Sequence, residues 1–228
     1  MSTGFRAPTL QEEYYQAQSS SPTGNSGQVA VDSPAARYLG AKPLKPERST
    51  NFSAGIVLNP IRRLHISVDA YQITLRNRIV NGGSYNGEQA IEALKLNGWS
   101  PGSAVNPSAV STTYFTNGAD TRTRGLDISA DYSLDLHQNG ALNLDVGFNL
   151  NKTTIQKSGL DLNGNPLLNQ QQRAFLTSYT PHNKLIFGGR WTVGHFDLSV
   201  HEIRYGSTTS QLIPICFGCD SGGGTHRR

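Results

Sequence analysis

Two long alternating segments in the middle of the chain restrict its fold more than any other feature. From residue 126 to residue 150, apolar and polar side chains alternate, and only the polar, glycine-containing stretch at 137–140 interrupts the alternation. The apolar positions are Leu126, Ile128, Ala130, Tyr132, Leu134 and Leu136, followed by Leu142, Leu144, Val146, Phe148 and Leu150. A two-residue period indicates a β-strand with one apolar face. The segment therefore predicts two amphipathic strands joined by a tight turn.

The length of these strands leaves two interpretations open. Each runs for roughly ten residues or more, whereas strands of soluble proteins have a mode of about 5–6 and a tilted membrane strand needs about 9–11. The positions between the apolar ones carry Asp127, Asp131, Asp135 and Asp145. A polar face of this kind suits the watery lumen of a membrane barrel, where these aspartates are expected to lie. It also suits the solvated face of a secreted or periplasmic β-sandwich, which would be a carbohydrate-binding module.

The connections between strands favour the membrane barrel. Alternation recurs at 51–58, 64–75, 185–193 and 196–205, with tight turns near Asn59, Gln138 and Gly194. Between these hairpins lie polar connections at 11–45, 77–120 and 156–181, the second with a helix-like piece from Glu88 to Leu96. Short turns at one end and long loops at the other are typical of outer-membrane barrels. A sandwich gives no reason for this arrangement.

The apolar phase slips by one residue in two strands. After Ala70 it continues on Tyr71, Ile73 and Leu75, and a similar slip follows Val200. We expect either a β-bulge near Ala70 and Tyr71 or the emergence of the strand from its apolar surroundings.

Composition and motifs argue against several other classes of function. The chain has 228 residues, a net charge of +4 and a mean hydropathy of −0.42, with no apolar run of the roughly 18 residues that a membrane helix needs. Its basic residues are scattered, so no nucleic-acid partner is expected. No catalytic or nucleotide-binding motif occurs, so neither an enzyme nor a cofactor is expected. His65 and His201 are interpreted as solvated strand residues. The lone pair Cys216 and Cys219 is interpreted as an incidental disulfide or two free thiols.

Three segments resemble successive landmarks in the barrel of TonB-dependent outer-membrane receptors. They are residues 4–12 (GFRAPTLQE), 44–49 (LKPERS) and 114–127, which begins YFTNGA and ends TRGLD. The residues that carry the resemblance are Phe5, Arg6, Pro8, Pro46, Glu47, Asn117, Gly118, Arg124 and Gly125. Their order and spacing match the family from residue 4 to about residue 205.

The resemblance implies an all-β, antiparallel up-and-down barrel of 22 strands, closed by an N-terminal plug. Receptors of this kind take up scarce nutrients such as ferric siderophores, cobalamin or glycans, driven by the TonB complex. Residues 1–205 are expected to supply about seven strands of such a barrel. Residues 206–228 are expected to form a glycine- and cysteine-containing tail, either disordered or a truncated loop.

The same resemblance implies that the chain is a fragment of a longer receptor. No signal peptide, plug or terminal strand is recognised in it. The parent protein is expected in the bacterial outer membrane, with membrane lipid and an iron-siderophore or similar ligand as partners. It is expected to engage the TonB complex through its N-terminal part.

Overall fold

A computed structural model describes residues 1–21, 24–99, 106–211 and 225–227. The strands are β1 (Ser2–Arg6), β2 (Ala17–Ser21), β3 (Gly24–Gln28), β4 (Glu47–Leu58), β5 (Leu64–Asn86), β6 (Val110–Asp135), β7 (Ala141–Ser158), β8 (Asn183–Val193), β9 (Phe196–Tyr205), β10 (Thr209–Gln211) and β11 (Thr225–Arg227). The helices are α1 (Leu10–Tyr14), α2 (Pro34–Tyr38), α3 (Glu88–Leu96) and α4 (Gln170–Thr177). Short 3₁₀ turns lie at Pro107–Ala109 and His137–Asn139.

One large antiparallel sheet organises the structure. Its main path runs β1-β4-β5-β6-β7-β8-β9, which confirms the prediction of about seven antiparallel strands. Among the described residues, β1 and β9 are the free edges and do not pair with each other, so the sheet is open. The long strands form this one sheet and not two packed layers, so the β-sandwich interpretation is wrong.

The sheet has an apolar face that no described residue covers. Directly paired residues share a face, and the register places Leu126 between Ala70 and Leu150. Side chains of this face are partly exposed or exposed, with Ile56 at 55% and Leu198 at 58% among the exposed ones. An exposed apolar area of this extent marks a surface that meets a partner or a membrane.

No helix within the described ranges is long and apolar enough to cross a membrane.

The phase slips do not arise from bulges at the predicted places. Pairing of β5 with β6 is regular from Leu64 to Leu75, so the bulge expected near Ala70 and Tyr71 is wrong. Pairing of β8 with β9 is also regular. The register shifts come later, beyond Leu75, where Asn77 has a φ of 55°. Tyr71 therefore lies on the polar face, and the apolar face fades where the strand continues past it.

The connections contain more regular structure than the sequence indicated. The predicted loop at 77–120 is wrong at both ends, because β5 continues to Asn86 and β6 begins at Val110. Between them, α3 occupies the predicted Glu88–Leu96. These strand extensions have polar residues on both faces, so the ladder continues where the apolar period has ended.

Most buried side chains lie in these connections and not in the sheet. We call this unit the loop assembly: α2, β3, α3 and the adjoining ends of β5 and β6. Its core consists of Val29, Ala35, Ala36, Leu39, Tyr85, Ala90, Ile91, Ala93, Leu94, Val110 and Tyr114. Strand β3 joins it by parallel pairing with β6. By the antiparallel topology, the loop assembly lies at the opposite end of the sheet from the three short turns.

Most of the predicted tail, including Cys216 and Cys219, lies outside the described residues. In its described part, β10 pairs with β11.

Candidate functional site

The polar face of the sheet carries the three predicted aspartates. Asp131 pairs directly with Asp145 on β7, and Asp127 pairs with Asn149. All three alternate with the apolar residues of β6 and β7, so they lie on the face opposite Leu126 and its neighbours. The structure thus brings them onto one surface.

Like charges face each other on this surface. Besides the pair of Asp131 and Asp145, Asp127 lies directly opposite Asp69 on β5. Partial compensation comes from neutral donors and a histidine: Asn149 donates to Asp127, Ser67 donates to Asp69 at 2.9 Å, and His201 Nε2 lies 3.4 Å from Asp145 Oδ1. Within the described ranges, no three His, Cys, Asp or Glu side chains are grouped as metal ligands would be.

Replacement of Asp131 by asparagine is expected to stabilise the sheet. Like charges directly opposite on neighbouring strands are unfavourable, so the gain should be about 0.2–1 kcal/mol. The free energy of unfolding in urea at neutral pH measures it. Asp135→Asn is the matched control, since Asp135 lies opposite Ala141 and contacts Arg63. If Asp131→Asn lowers the free energy of unfolding as much as Asp135→Asn does, the repulsion between Asp131 and Asp145 does not destabilise the sheet.

Two of the family-motif segments meet at one arginine. Arg6, at the end of β1, donates from Nε to Glu47 Oε2 at 2.9 Å and from both Nη atoms to Glu12, each at 2.9 Å. Glu47 begins β4, and its other carboxylate oxygen accepts the backbone N–H of Ile79 on β5 at 2.7 Å. Thr9 and Glu12 form a capping box at the start of α1, after Pro8. One guanidinium therefore joins β1, α1, β4 and, through Glu47, β5. We call this the Arg6 network.

The Arg6 network shifts the pKa values of its members. Partial burial raises the pKa of Glu47, but hydrogen bonds from Arg6 and Ile79 lower it more, so it lies below the ordinary 4.5. In Glu12, hydrogen bonds from Arg6 and Thr9 likewise outweigh burial and lower the pKa. The hydrogen bond to Glu47 is the main cause of a raised pKa for Arg6.

Stability contributed by the Arg6 network is therefore expected to depend on pH. A carboxyl group whose pKa is lowered on folding stabilises the native state above its unfolded pKa, and this stabilisation is lost as the pH falls through the folded pKa. The difference in unfolding free energy between the wild type and Arg6→Gln should hold at neutral pH and shrink below about pH 4.5. Urea titrations at several pH values measure it. A difference that stays constant down to about pH 3 would contradict the role of these carboxylates.

Asn117 links the third motif segment, residues 114–127, to the second, residues 44–49, by hydrogen bonds. Its side chain accepts from the backbone N–H of Lys45 at 2.7 Å and donates to the carbonyls of Lys45 and Asn77 at 2.9 and 2.7 Å. Lys45 precedes Pro46, so Asn117 fixes the chain just before β4. At Gly118, a Cβ would lie 2.6 Å from a methyl group of Val80, which explains the glycine.

The remaining motif residues lie elsewhere. Gly125 lies under the ring of Tyr71, whose Cζ would be 2.2 Å from a Cβ at that position. Arg124 donates from Nε to Gln72 Oε1 at 2.8 Å on the apolar-face side. Phe5 is 80% exposed. The sequence predicted one set of motif residues. The structure divides most of them among the Arg6 network, the Asn117 contact and the adjacent residues Arg124 and Gly125.

The sequence did not reveal the centre of the loop assembly. Tyr85 and Tyr114 both donate to the carbonyl of Leu39, at 2.8 and 3.2 Å, and their rings stack with centroids 6.0 Å apart. Burial is the main cause of a raised pKa for Tyr114, so its hydroxyl remains a neutral donor. Sequence reasoning also left out Glu12, although Thr9 and Glu12 have the spacing of a capping box.

The long strands have one apolar and one polar face, and they are joined by short turns at one end of the sheet and by folded connections at the other. These features define a portion of a membrane barrel. The family model "TonB dependent receptor-like, beta-barrel" matches residues 1–213. The chain belongs to this family, whose members are receptors of the outer membrane.

A similar fold occurs in a solved siderophore receptor. The siderophore receptor PirA from Acinetobacter baumannii is 16% identical with a TM-score of 0.51, and the match covers 91% of this chain and 26% of that one. The FrpB iron transporter from Neisseria meningitidis is 14% identical with a TM-score of 0.46, covering 74% and 20%. This chain therefore spans about a quarter or less of their length. No curated protein matches the chain.

Proposed function

We propose that the chain forms part of the barrel wall of an outer-membrane receptor that takes up a scarce nutrient in a TonB-dependent way. The observation that carries this proposal is the uncovered apolar face of a sheet with strands long enough to cross a bilayer. In a lipid surrounding this face is buried, and the backbone groups of each inner strand are satisfied by its neighbours. Membrane lipid and the TonB complex are the proposed partners. Residues 1–205 then form barrel wall, and 206–228 a tail.

The polar face is proposed to line the lumen. Asp127 and Asp131 are exposed on it and Asp145 is partly exposed, and adjacent carboxylates are tolerated where water hydrates them. The three short turns then lie on the periplasmic side. The loop assembly lies outside the cell, where the family-motif residues of the Arg6 network and Asn117 fix the ends of the connections.

The nutrient is proposed to be a ferric siderophore or a ligand of similar size. Support comes from the fold likeness to PirA, which is named a siderophore receptor. Ligand contacts are assigned to the loop assembly and the polar face, which offer hydroxyl, amide and carboxylate groups. Uptake of the radiolabelled ferric siderophore by cells that make the receptor tests the ligand class.

Membrane placement is tested by labelling single cysteines in intact cells. In a background where Cys216 and Cys219 are replaced by serine, Lys95→Cys in α3 and Gln138→Cys in the β6–β7 turn are treated with a membrane-impermeant maleimide. We expect labelling at position 95 only, because α3 lies at the loop end and the turn at the opposite end.

Permeabilised cells supply the control, since both cysteines should then react. Labelling of both positions in intact cells, or of position 138 alone, would contradict the proposed orientation. Recovery of the receptor in the soluble fraction would contradict membrane insertion itself.

A further inference from the structure

A basic pair lies at the border of the apolar face that is nearer to the loop assembly. Arg124 on β6 and Lys152 on β7 are direct cross-strand neighbours, and both are exposed. They share a face with Leu126 and Leu150, which form the next pair on that face away from the loop assembly. The rise per strand residue places the basic pair about 7 Å beyond these leucines.

The charge of this pair is not balanced within the described part of the chain. No carboxylate there lies within ion-pair distance of Arg124 or Lys152. The Nε of Arg124 is held by Gln72, which orients the guanidinium and leaves its two terminal nitrogens available. On the same face of β6, Arg122 has a buried Nε without a hydrogen-bond partner among the described residues. Like charges directly opposite each other destabilise a sheet, so a bound anion would stabilise this arrangement.

The groove beside the basic pair is charged at one end and apolar at the other, so its two ends match the headgroup and the acyl chain of an anionic lipid. Its volume is about 500 Å³, and its lining includes Arg124 and Lys152 at one end and Leu126 and Leu150 at the other. A guanidinium binds phosphate oxygens in a bidentate manner, and leucine side chains favour hydrocarbon. A ligand that matches both ends carries a phosphate and an acyl chain.

We propose that Arg124 and Lys152 bind the phosphate of an anionic lipid whose acyl chain lies along Leu126 and Leu150. A second basic pair on this face, Arg48 and Arg76, shares its groove with Asp120 and is not assigned to the site. The proposal rests on the membrane placement under the proposed function, because it needs the apolar face to lie in lipid.

Lipid binding by the purified receptor in non-ionic detergent tests the site. The receptor is titrated with dioleoyl phosphatidic acid, with dioleoyl phosphatidylcholine and with inorganic phosphate, and bound molecules are counted by native mass spectrometry. We expect phosphatidic acid to bind most tightly. Arg124→Gln/Lys152→Gln should weaken its binding about 25-fold, since each basic residue near an anionic lipid surface contributes about fivefold.

Lys184→Gln is the control for a general charge effect, because Lys184 lies opposite Asn149 on the polar face and its loss removes one positive charge, half of what the double variant removes. It should leave phosphatidic acid binding unchanged. Added salt should weaken this binding in the wild type, a result that does not depend on any variant.

Different results would contradict the lipid site and the membrane placement on which it rests. Equal binding of the two lipids, an unchanged affinity in the double variant, or an equal loss in Lys184→Gln would refute the lipid site alone. Inorganic phosphate bound as tightly as phosphatidic acid would refute a role for the acyl chain. Binding of neither lipid would instead count against the membrane placement.

Discussion

Replacement of Arg6 by glutamine is expected to lower the free energy of unfolding by about 2–3 kcal/mol, the loss of charge-assisted hydrogen bonds that serve a poorly exposed carboxylate. The guanidinium is 44% exposed, but the side chain of Glu47 is only 10% exposed. Without Arg6, Glu47 keeps the backbone N–H of Ile79 as a donor but has no cation beside it. Glu12 loses both bonds that tie α1 to β1. Urea unfolding of the receptor in vesicles measures the loss.

Two further variants define the cause. Arg6→Lys keeps the charge but lacks the planar fork that reaches both glutamates, so it should recover only part of the stability. Arg63→Gln removes an arginine from an ion pair of 3.5 Å in which both side chains are about half exposed, and should cost less than about 1 kcal/mol. Equal losses from Arg6→Gln and Arg63→Gln would contradict a special role for the Arg6 network.

Replacement of Leu94 by alanine is expected to open the loop assembly at a cost of about 2–5 kcal/mol, the usual range for a buried leucine. Leu94 is 1% exposed, and a Cβ at Gly27 would lie 2.5 Å from one of its methyl groups. The leucine therefore packs tightly between α3 and β3. Hydrogen exchange should accelerate in α3 while β6 beyond Thr121 and its partner β7 remain protected, because those parts of the sheet contribute no residue to this core. Nutrient binding should weaken as well.

Leu96 provides the matched control on the same helix. It is 51% exposed, so Leu96→Ala should change the stability by no more than about 0.5 kcal/mol. If Leu94→Ala and Leu96→Ala accelerate exchange in α3 equally, the loop assembly is not held by its buried core. If exchange also accelerates throughout β6 and β7, the loop assembly and the sheet unfold as one unit.

The hairpin of β6 and β7 could be predicted closely from the sequence. A period of two and a short turn together restrict the register, and in the structure Leu134 pairs with Leu142. The turn itself needs positive φ, which Gly140 adopts at 87° and His137 at 57°. These features are local, so neighbouring residues contain the information. Helix α3 is local in the same sense, and its predicted bounds are confirmed.

The candidate sites depended on contacts that no local pattern contains. Arg6 and Glu47 are separated by 41 positions, and Asn117 and Lys45 by 72. The resemblance placed such residues in one set but gave no reason for their partnership. Even the basic pair was hidden, since Arg124 and Lys152 become neighbours only when β6 and β7 are in register.

Side-chain alternation was enough to predict the strands, their two faces and the ends at which they turn, because it follows directly from strand geometry. The lengths of β5 and β6, the packing of the connections and the pairing of charges became apparent only in the folded chain. The extensions of β5 and β6 mix buried apolar residues such as Tyr85, Val110 and Tyr114 with polar ones, so they have no sustained apolar period that would reveal them. Their pairing depends on backbone hydrogen bonds, which do not require a particular side chain. The apolar residues of the loop assembly come from three separate stretches of the chain, 29–39, 85–94 and 110–114, so they form a core only after the sheet has brought those stretches together.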